Sequence, residues 1–125
     1  MNRGAADDAI RARFLRPTYA VDADAVDAWP ASGAADTPGE DARCRVFLAV
    51  GNDGRLKAAF AAFGPPVVIA CADWICERVT AQTVEITHTV TLADVEKALA
   101  LTPTQRYAGL LAIDALSNAV INLGQ

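Results

Sequence analysis

The sequence predicts a small α+β domain in which an antiparallel sheet packs against helices. Three observations predict this fold class: two segments alternate apolar and polar residues around a tight turn, apolar residues recur at helical spacing on both sides of that hairpin, and two helix-start signals follow. With 125 residues, 53% of them hydrophobic, the chain fits one domain over residues 1–125. A domain of this size buries roughly two thirds of its unfolded surface.

The chain opens with a predicted helix from Ala5 to Leu15, because Ile10 and Phe14 fall four residues apart and Pro17 discourages continuation. Residues 19–42 contain six carboxylates and no Lys or Arg. We interpret them as a mobile, solvated acidic loop with one possible short edge strand. The carboxylate spacing does not match the Asp-x-Asp-x-Asp-Gly pattern of a calcium loop, so calcium is not expected.

The hairpin is the clearest local pattern. Apolar residues alternate with those of the other face, which is typical of a strand with one buried face. The expected buried residues of the first strand are Cys44, Val46, Leu48 and Val50. The turn Gly51-Asn52-Asp53-Gly54 supplies residues that adopt positive φ, and a second alternating strand follows over residues 56–62.

Helices are predicted after the hairpin. Gly64-Pro65-Pro66 ends the second strand because proline offers no ladder donor, and apolar residues then recur at helical spacing over residues 67–79. Residues 80–90 remain open at this point. Their threonines and the alternation of Val84, Ile86 and His88 with polar residues favour a strand.

Two capping boxes predict the remaining helices. Thr91-x-x-Asp94 opens one helix that runs through Leu99, and Thr102-Pro103-x-Gln105 opens the last. Gly124 ends that last helix. Its expected buried residues are Gly109, Ile113, Leu116, Val120 and Leu123.

Charge and hydropathy exclude several classes of partner. The net charge is -4 and the sequence pI is near 4.8, so no basic field attracts nucleic acid or anionic lipid. No apolar run approaches the roughly 20 residues of a membrane span. Residues 1–12 lack the apolar stretch of a signal peptide. We therefore expect a cytoplasmic protein with neither nucleic acid nor membrane as a partner.

The three cysteines are expected to be core residues. Cys44, Cys71 and Cys76 form no Cys-x-x-Cys motif and no even set, so a disulfide framework is not expected. Cys71 and Cys76 are five residues apart on one helix, about 140° around its axis, and cannot readily bind one metal ion together. The single histidine, His88, lacks a nucleophile motif beside it. We therefore expect no catalytic residue and no enzyme activity.

Taken in order along the chain, these features resemble the scaffold family of iron-sulfur cluster assembly, the IscU-like or NifU N-terminal family. The resemblance covers nearly the whole chain, and it favours a short helix within residues 80–90. The residues that carry it are Phe14 and Pro17, the turn at residues 50–54, Gly64, Glu77, Val79, residues 101–103, Leu111, Ala112, Asp114 and Ala115.

The resemblance implies where the family's cluster ligands would fall. Such scaffolds hold a nascent cluster by three cysteines, assisted by an aspartate and a histidine. The cysteine positions fall on Glu40 (or Gly39 if the alignment slips by one), Pro65 and Ala108; the aspartate position falls on Ala42 (or Asp41 with the slip), and the histidine position on Tyr107. Because proline and alanine carry no donor side chain, we expect the usual cluster site to be absent.

A second family motif is also incomplete. The segment Leu-Pro-Pro-Val-Lys, which the family's dedicated chaperone recognises, corresponds to residues 101–105, where only Leu101 and Pro103 are kept. The missing lysine puts this recognition in doubt.

Two functional hypotheses follow from the resemblance. In the first, the protein acts without a cofactor as an adaptor or modulator, with a cysteine desulfurase or an iron-sulfur apoprotein as its partner. In the second, it carries an iron-sulfur cluster or zinc on a non-standard ligand set, with Glu40, Asp41 and Cys44 as weak candidates. An enzyme or small-molecule binder is the third alternative.

Overall fold

The computed structural model describes residues 3–124, except for the side chains of residues 3–7 and Glu40. Within this part of the chain the helices are α1 (Arg3–Leu15), α2 (Pro66–Val79), α3 (Leu92–Leu99) and α4 (Arg106–Leu123), and the strands are β1 (Ala31–Thr37), β2 (Ala42–Val50) and β3 (Leu56–Phe63). Short 3-10 helices cover Ala23–Ala28, Pro38–Glu40, Val84–Thr89 and Pro103–Gln105. The α+β prediction is confirmed.

The three strands form one antiparallel sheet in the order β1-β2-β3. The predicted hairpin is confirmed, since the N–H of Gly51 donates to the carbonyl of Arg55 at 2.9 Å. Gly54 adopts φ +79°, the positive φ that the turn requires. The Arg55 N–H donates to the Asp53 carboxylate at 3.0 Å, so the turn is held by its own residues.

The possible edge strand within the acidic segment is confirmed as β1, and the loop interpretation was wrong for these seven residues. Small residues explain the difference. A Cβ added at Gly33 would overlap the backbone nitrogen of Ala119, so β1 lies directly against α4. Close packing of a helix, which the composition of the segment does not reveal, holds β1 in place.

The core lies between the sheet and the helices. Cys44, Val46 and Leu48 are buried as predicted, whereas Val50, at the end of β2, is 43% exposed. The expectation that only one face of the hairpin is buried was wrong at Phe47. Its side chain is buried on the other face, with its ring 6.1 Å from that of Trp29.

The capping boxes at α3 and before α4 are confirmed. The N–H of Thr91 donates to the Asp94 carboxylate at 2.9 Å, and the N–H of Thr102 donates to the Gln105 side chain at 3.0 Å. These reciprocal contacts satisfy backbone donors that the first helical turn leaves without partners.

The buried face of α4 differs in part from the prediction. Gly109 and Leu116 are buried, but Ile113, Val120 and Leu123 are only half-buried. Alanines replace them as the most buried residues, because a helix that touches the sheet backbone needs small side chains at the contact. The other fully buried residues of α4 are Ala108, Leu111, Ala112, Ala115 and Ala119.

Residues 84–89 form a 3-10 helix, so the strand favoured by propensity was wrong and the short helix was right. The threonines explain this outcome. The hydroxyls of Thr87 and Thr89 donate to the carbonyls of Val84 and Ile86, both at 2.7 Å. Such local bonds compete with the pairing of a strand.

Candidate functional site

The implied ligand positions of β2 and β3 lie at the end of the sheet opposite the hairpin. Arg43 pairs with Phe63, and a Cβ added at Gly64 would lie 3.1 Å from the Cβ of Ala42. Asp41 directly precedes Ala42, and Pro65 directly follows Gly64. Both therefore lie at this end of the sheet.

Two hydrogen bonds between α4 and β1 show the direction in which α4 runs. The amides of Asn118 and Asn122 donate to the carbonyls of Ala34 and Ser32 at 2.9 and 2.7 Å. Helix α4 therefore runs antiparallel to β1, and its first turn, with Tyr107 and Ala108, points toward the β1–β2 connection. The structure thus directs all the implied ligand positions toward one end of the fold.

The side chains at these positions differ in exposure. Asp41 is exposed and its backbone is left-handed, with φ and ψ both 50°. Pro65 is exposed in extended backbone before α2, and its carbonyl accepts the Val68 N–H at 2.9 Å. Tyr107 is half-buried, whereas Ala108 is completely buried. Glu40 is described only by its backbone, which ends a 3-10 turn.

The chemistry of this end does not fit a cluster held by three protein thiolates. Pro65 and Ala108 provide no donor atom in their side chains, and soft sulfur ligands are what such clusters require. Among the residues whose side chains are described, no three of His, Cys, Asp or Glu are grouped so as to hold a metal ion. The carboxylate of Asp41 is a hard oxygen donor and does not replace two thiolates.

The three cysteines lie in the core, on β2 and α2. Burial raises the pKa of Cys44 to about 12, with the neighbouring Cys71 adding to the effect, and burial raises the pKa of Cys71 to about 12. Burial, then Cys44 and Asp73, raise the pKa of Cys76 well above its usual value. Because the thiolate is the form that binds metal and attacks substrates, these protonated thiols are poor ligands and nucleophiles at neutral pH.

Cys44 is therefore poorly placed for the non-standard ligand set. Its side chain faces the core, whereas Asp41 is exposed.

His88 is exposed on the 3-10 helix that follows α2. The residues between α2 and this 3-10 helix contact the hairpin end of β3, where the Ala81 N–H donates to the Leu56 carbonyl at 2.8 Å.

Sequence reasoning missed a buried carboxylate, Asp73 on α2. Its side chain is 2% exposed and accepts two hydrogen bonds, from Nη1 of Arg13 and from the N–H of Tyr19, both at 2.9 Å. Arg13 also lies 3.2 Å from Glu77. An aspartate among the apolar residues of α2 was the available signal, but nothing local pointed to its partners more than fifty residues away.

Comparison with known proteins supplies the family. The family model described as the NifU-like N terminal domain matches residues 7–124. The chain belongs to this family. No curated protein matches it, so the family model and solved structures carry the comparison.

Three solved structures share the fold of this NifU-like chain. A candidate iron-sulfur cluster assembly scaffold protein for the SUF system from Fervidobacterium islandicum AW-1 aligns with a TM-score of 0.67 and 9% identity, over 90% of this chain and 94% of that one. The N-terminal part of a nitrogen-fixing NifU-like protein from Brucella abortus gives 0.69 and 11%, over 93% and 92%. A hypothetical protein gives 0.69 and 16%, over 94% and 98%.

The family model establishes membership of the NifU-like N-terminal family, and the solved structures establish the shared fold. No helix in the described part of the chain is long and apolar enough to cross a membrane.

Proposed function

We propose that this NifU-like protein works in iron-sulfur cluster assembly as a protein-binding adaptor or modulator that holds no cluster of its own. One observation carries the proposal: Pro65 and Ala108 stand at two of the three implied cysteine positions, and neither side chain has an atom that can bind a metal. The cysteines that the chain does contain are buried and protonated, which supports a packing role for them.

The exposed surface at the end of the fold that carries the implied ligand positions is suited to contact with a protein. Pro65 is exposed, and Leu110, in the second turn of α4, is 46% exposed. Apolar side chains exposed at the end of the fold that also carries the exposed carboxylate of Asp41 are compatible with a protein-binding surface. The partners that family membership suggests are a cysteine desulfurase or an iron-sulfur apoprotein, and the adaptor performs no chemistry itself.

Anaerobic reconstitution with ferrous iron and sulfide tests the absence of a cluster. The native chain should show no stable visible absorption band and no stoichiometric iron after desalting. The matched control is the triple variant Glu40→Cys, Pro65→Cys and Ala108→Cys, which restores thiols at the implied positions. Stoichiometric iron with a stable band in the native chain would show that the protein is a carrier.

Affinity capture tests the adaptor role. The tagged native protein should recover a cysteine desulfurase or an iron-sulfur apoprotein from a native lysate under anaerobic conditions. A tagged protein of similar size and charge serves as the control. Recovery of the same proteins by both baits, or of neither partner class by the native chain, argues against the adaptor.

A further inference from the structure

The face of the sheet that points away from the core carries three rows of cross-strand neighbours. The register places Ser32, Phe47 and Ala59 in the first row, Ala34, Arg45 and Ala61 in the second, and Asp36, Arg43 and Phe63 in the third. The two arginines therefore occupy the middle of the sheet, two residues apart on β2. Their Cα atoms are roughly 7 Å apart, since a strand rises about 3.3 Å per residue.

Only part of this face is covered. The segment after α1 pairs with the edge of β3, where the N–H of Phe60 donates to the Tyr19 carbonyl at 3.0 Å and the N–H of Val21 donates to the Phe60 carbonyl at 2.8 Å. The chain then continues through a 3-10 helix to Trp29, which packs on Phe47. This covers the first row and leaves the arginine rows open.

A cavity of about 650 Å³ remains over the open rows. Residues 21–23 form one wall, and the second and third rows form its floor and rim. The volume falls within the roughly 300–1,000 Å³ of small-molecule sites. The small side chains of Ala34 and Ala61, which flank Arg45, leave this space unfilled.

The cationic groups of the cavity have hydrogen-bonding capacity left over. The guanidinium of Arg43 lies 5.3 Å from the centre of the Phe63 ring, and the Nη1 of Arg45 donates to the Ser32 hydroxyl at 3.0 Å. Among the described side chains, neither arginine lies within 4.0 Å of a carboxylate oxygen. Because a guanidinium has five donors, both arginines can bind an added oxyanion.

We propose that this cavity binds a small organic carboxylate with an apolar body. The carboxylate accepts hydrogen bonds from Arg45 and from Arg43, whose exposed side chain turns from the Phe63 ring toward Arg45 to reach it. The apolar body rests on Ala34, Ala61 and the part of the Phe63 ring that Arg43 leaves. Asp22 and Asp36 line the cavity, and like-charge repulsion from them favours a singly charged ligand over a polyanion. The site goes beyond the proposed adaptor role. It lies on the outer face of the sheet, and its third row, with Arg43 and Phe63, adjoins the end where the implied ligand positions lie.

Calorimetric titration with 2-naphthoate at low ionic strength tests the site. Saturable binding of one ligand per chain is expected, with 2-naphthalenemethanol, the neutral analogue, binding at least tenfold more weakly. Arg43→Gln and Arg45→Gln should each weaken binding roughly tenfold or more, since each removes charge-assisted hydrogen bonds. Lys57→Gln is the matched control, because Lys57 is an exposed cation on the same sheet face outside the cavity.

A second variant protects the test against altered folding of the arginine variants. Ala61→Leu keeps both guanidinium groups and fills the cavity floor, so it should also weaken binding roughly tenfold or more while its thermal unfolding stays cooperative. The proposal is overturned by non-saturable binding, by equal binding of the neutral analogue, by equal loss in Lys57→Gln, or by full binding in Ala61→Leu.

Discussion

The guanidinium of Arg13 lies 2.9 Å from the carboxylate of Asp73, and this ion pair joins the first helix to the second. The arginine side chain is 22% exposed, whereas the aspartate is 2% exposed. Asp73 also accepts the backbone N–H of Tyr19, so one buried carboxylate fixes both α1 and the segment that leads to the edge of β3. This contact therefore contributes to the placement of α1 and of the segment that follows it.

Replacing Asp73 should therefore destabilise the protein. Asp73→Ala removes the partner of a poorly solvated guanidinium and leaves the Tyr19 N–H without an acceptor, at a cost of about 3 kcal/mol in the free energy of unfolding. Urea unfolding measures it. The control is Glu77→Gln, at the exposed carboxylate that also contacts Arg13, which should cost about 0.5 kcal/mol or less. Equal losses in the two variants would show that the burial of Asp73 is energetically unimportant.

Gly33→Ala should be strongly destabilising. The added methyl group would overlap the backbone of α4 at Asn118 and Ala119, and helix backbone cannot move as a side-chain tip can, so overpacking should cost about 3 kcal/mol. Gly39→Ala is the matched control, because no atom lies within 4 Å of a Cβ there. Chemical unfolding of both variants measures the difference in their free energies of unfolding. A Gly33 variant as stable as the Gly39 variant would mean that β1 and α4 are not in direct contact.

The parts of the fold that sequence predicts are those fixed by residues a few positions apart. The hairpin turn at residues 51–54 and the capping box of Thr91 and Asp94 are examples, since their hydrogen bonds connect near neighbours. The burial of Phe47 depends on Trp29, which packs on it from a segment eighteen residues earlier in the chain. Such contacts between distant segments leave no local pattern in the sequence.

The candidate site could be predicted only in part, for the same reason. The absence of a donor at Pro65 is evident from the residue itself once the family resemblance is drawn. Strand register and helix direction bring Asp41, Pro65 and Ala108 to one end of the fold. The sequence displays neither of these. The cavity over Arg43 and Arg45 depends on the path of residues 21–29, a segment that composition alone assigns to a loop.

Asn118 should protect the free edge of β1. Its amide donates to the Ala34 carbonyl, an edge group that would otherwise be open to pairing with another chain. Asn118→Ala should lower the free energy of unfolding by about 1 kcal/mol and increase aggregation measured by light scattering. Ser117→Ala, at the exposed neighbouring residue, should leave both unchanged. Indistinguishable behaviour of the two variants would contradict a role for the amide.

The buried thiols should make stability fall at alkaline pH. The thiol of Cys71 ionises near its ordinary pKa of 9.0 in the unfolded chain, whereas the folded thiol stays protonated up to about 12. The native state therefore binds more protons than the unfolded state between these values, and its stability decreases as pH rises through that window. From pH 7 to pH 10, one such thiol should remove about 1.4 kcal/mol from the free energy of unfolding.

Comparison with Cys71→Ala isolates this contribution, because the titration of all other groups is nearly common to both proteins. Urea unfolding under reducing conditions at pH 7 and pH 10 should show that the wild type loses about 1.4 kcal/mol more than the variant over this interval. Ser117→Ala, which removes no ionisable group, should follow the wild type. Equal pH dependence in the wild type and Cys71→Ala would mean that the Cys71 thiol ionises as readily in the folded core as in the unfolded chain.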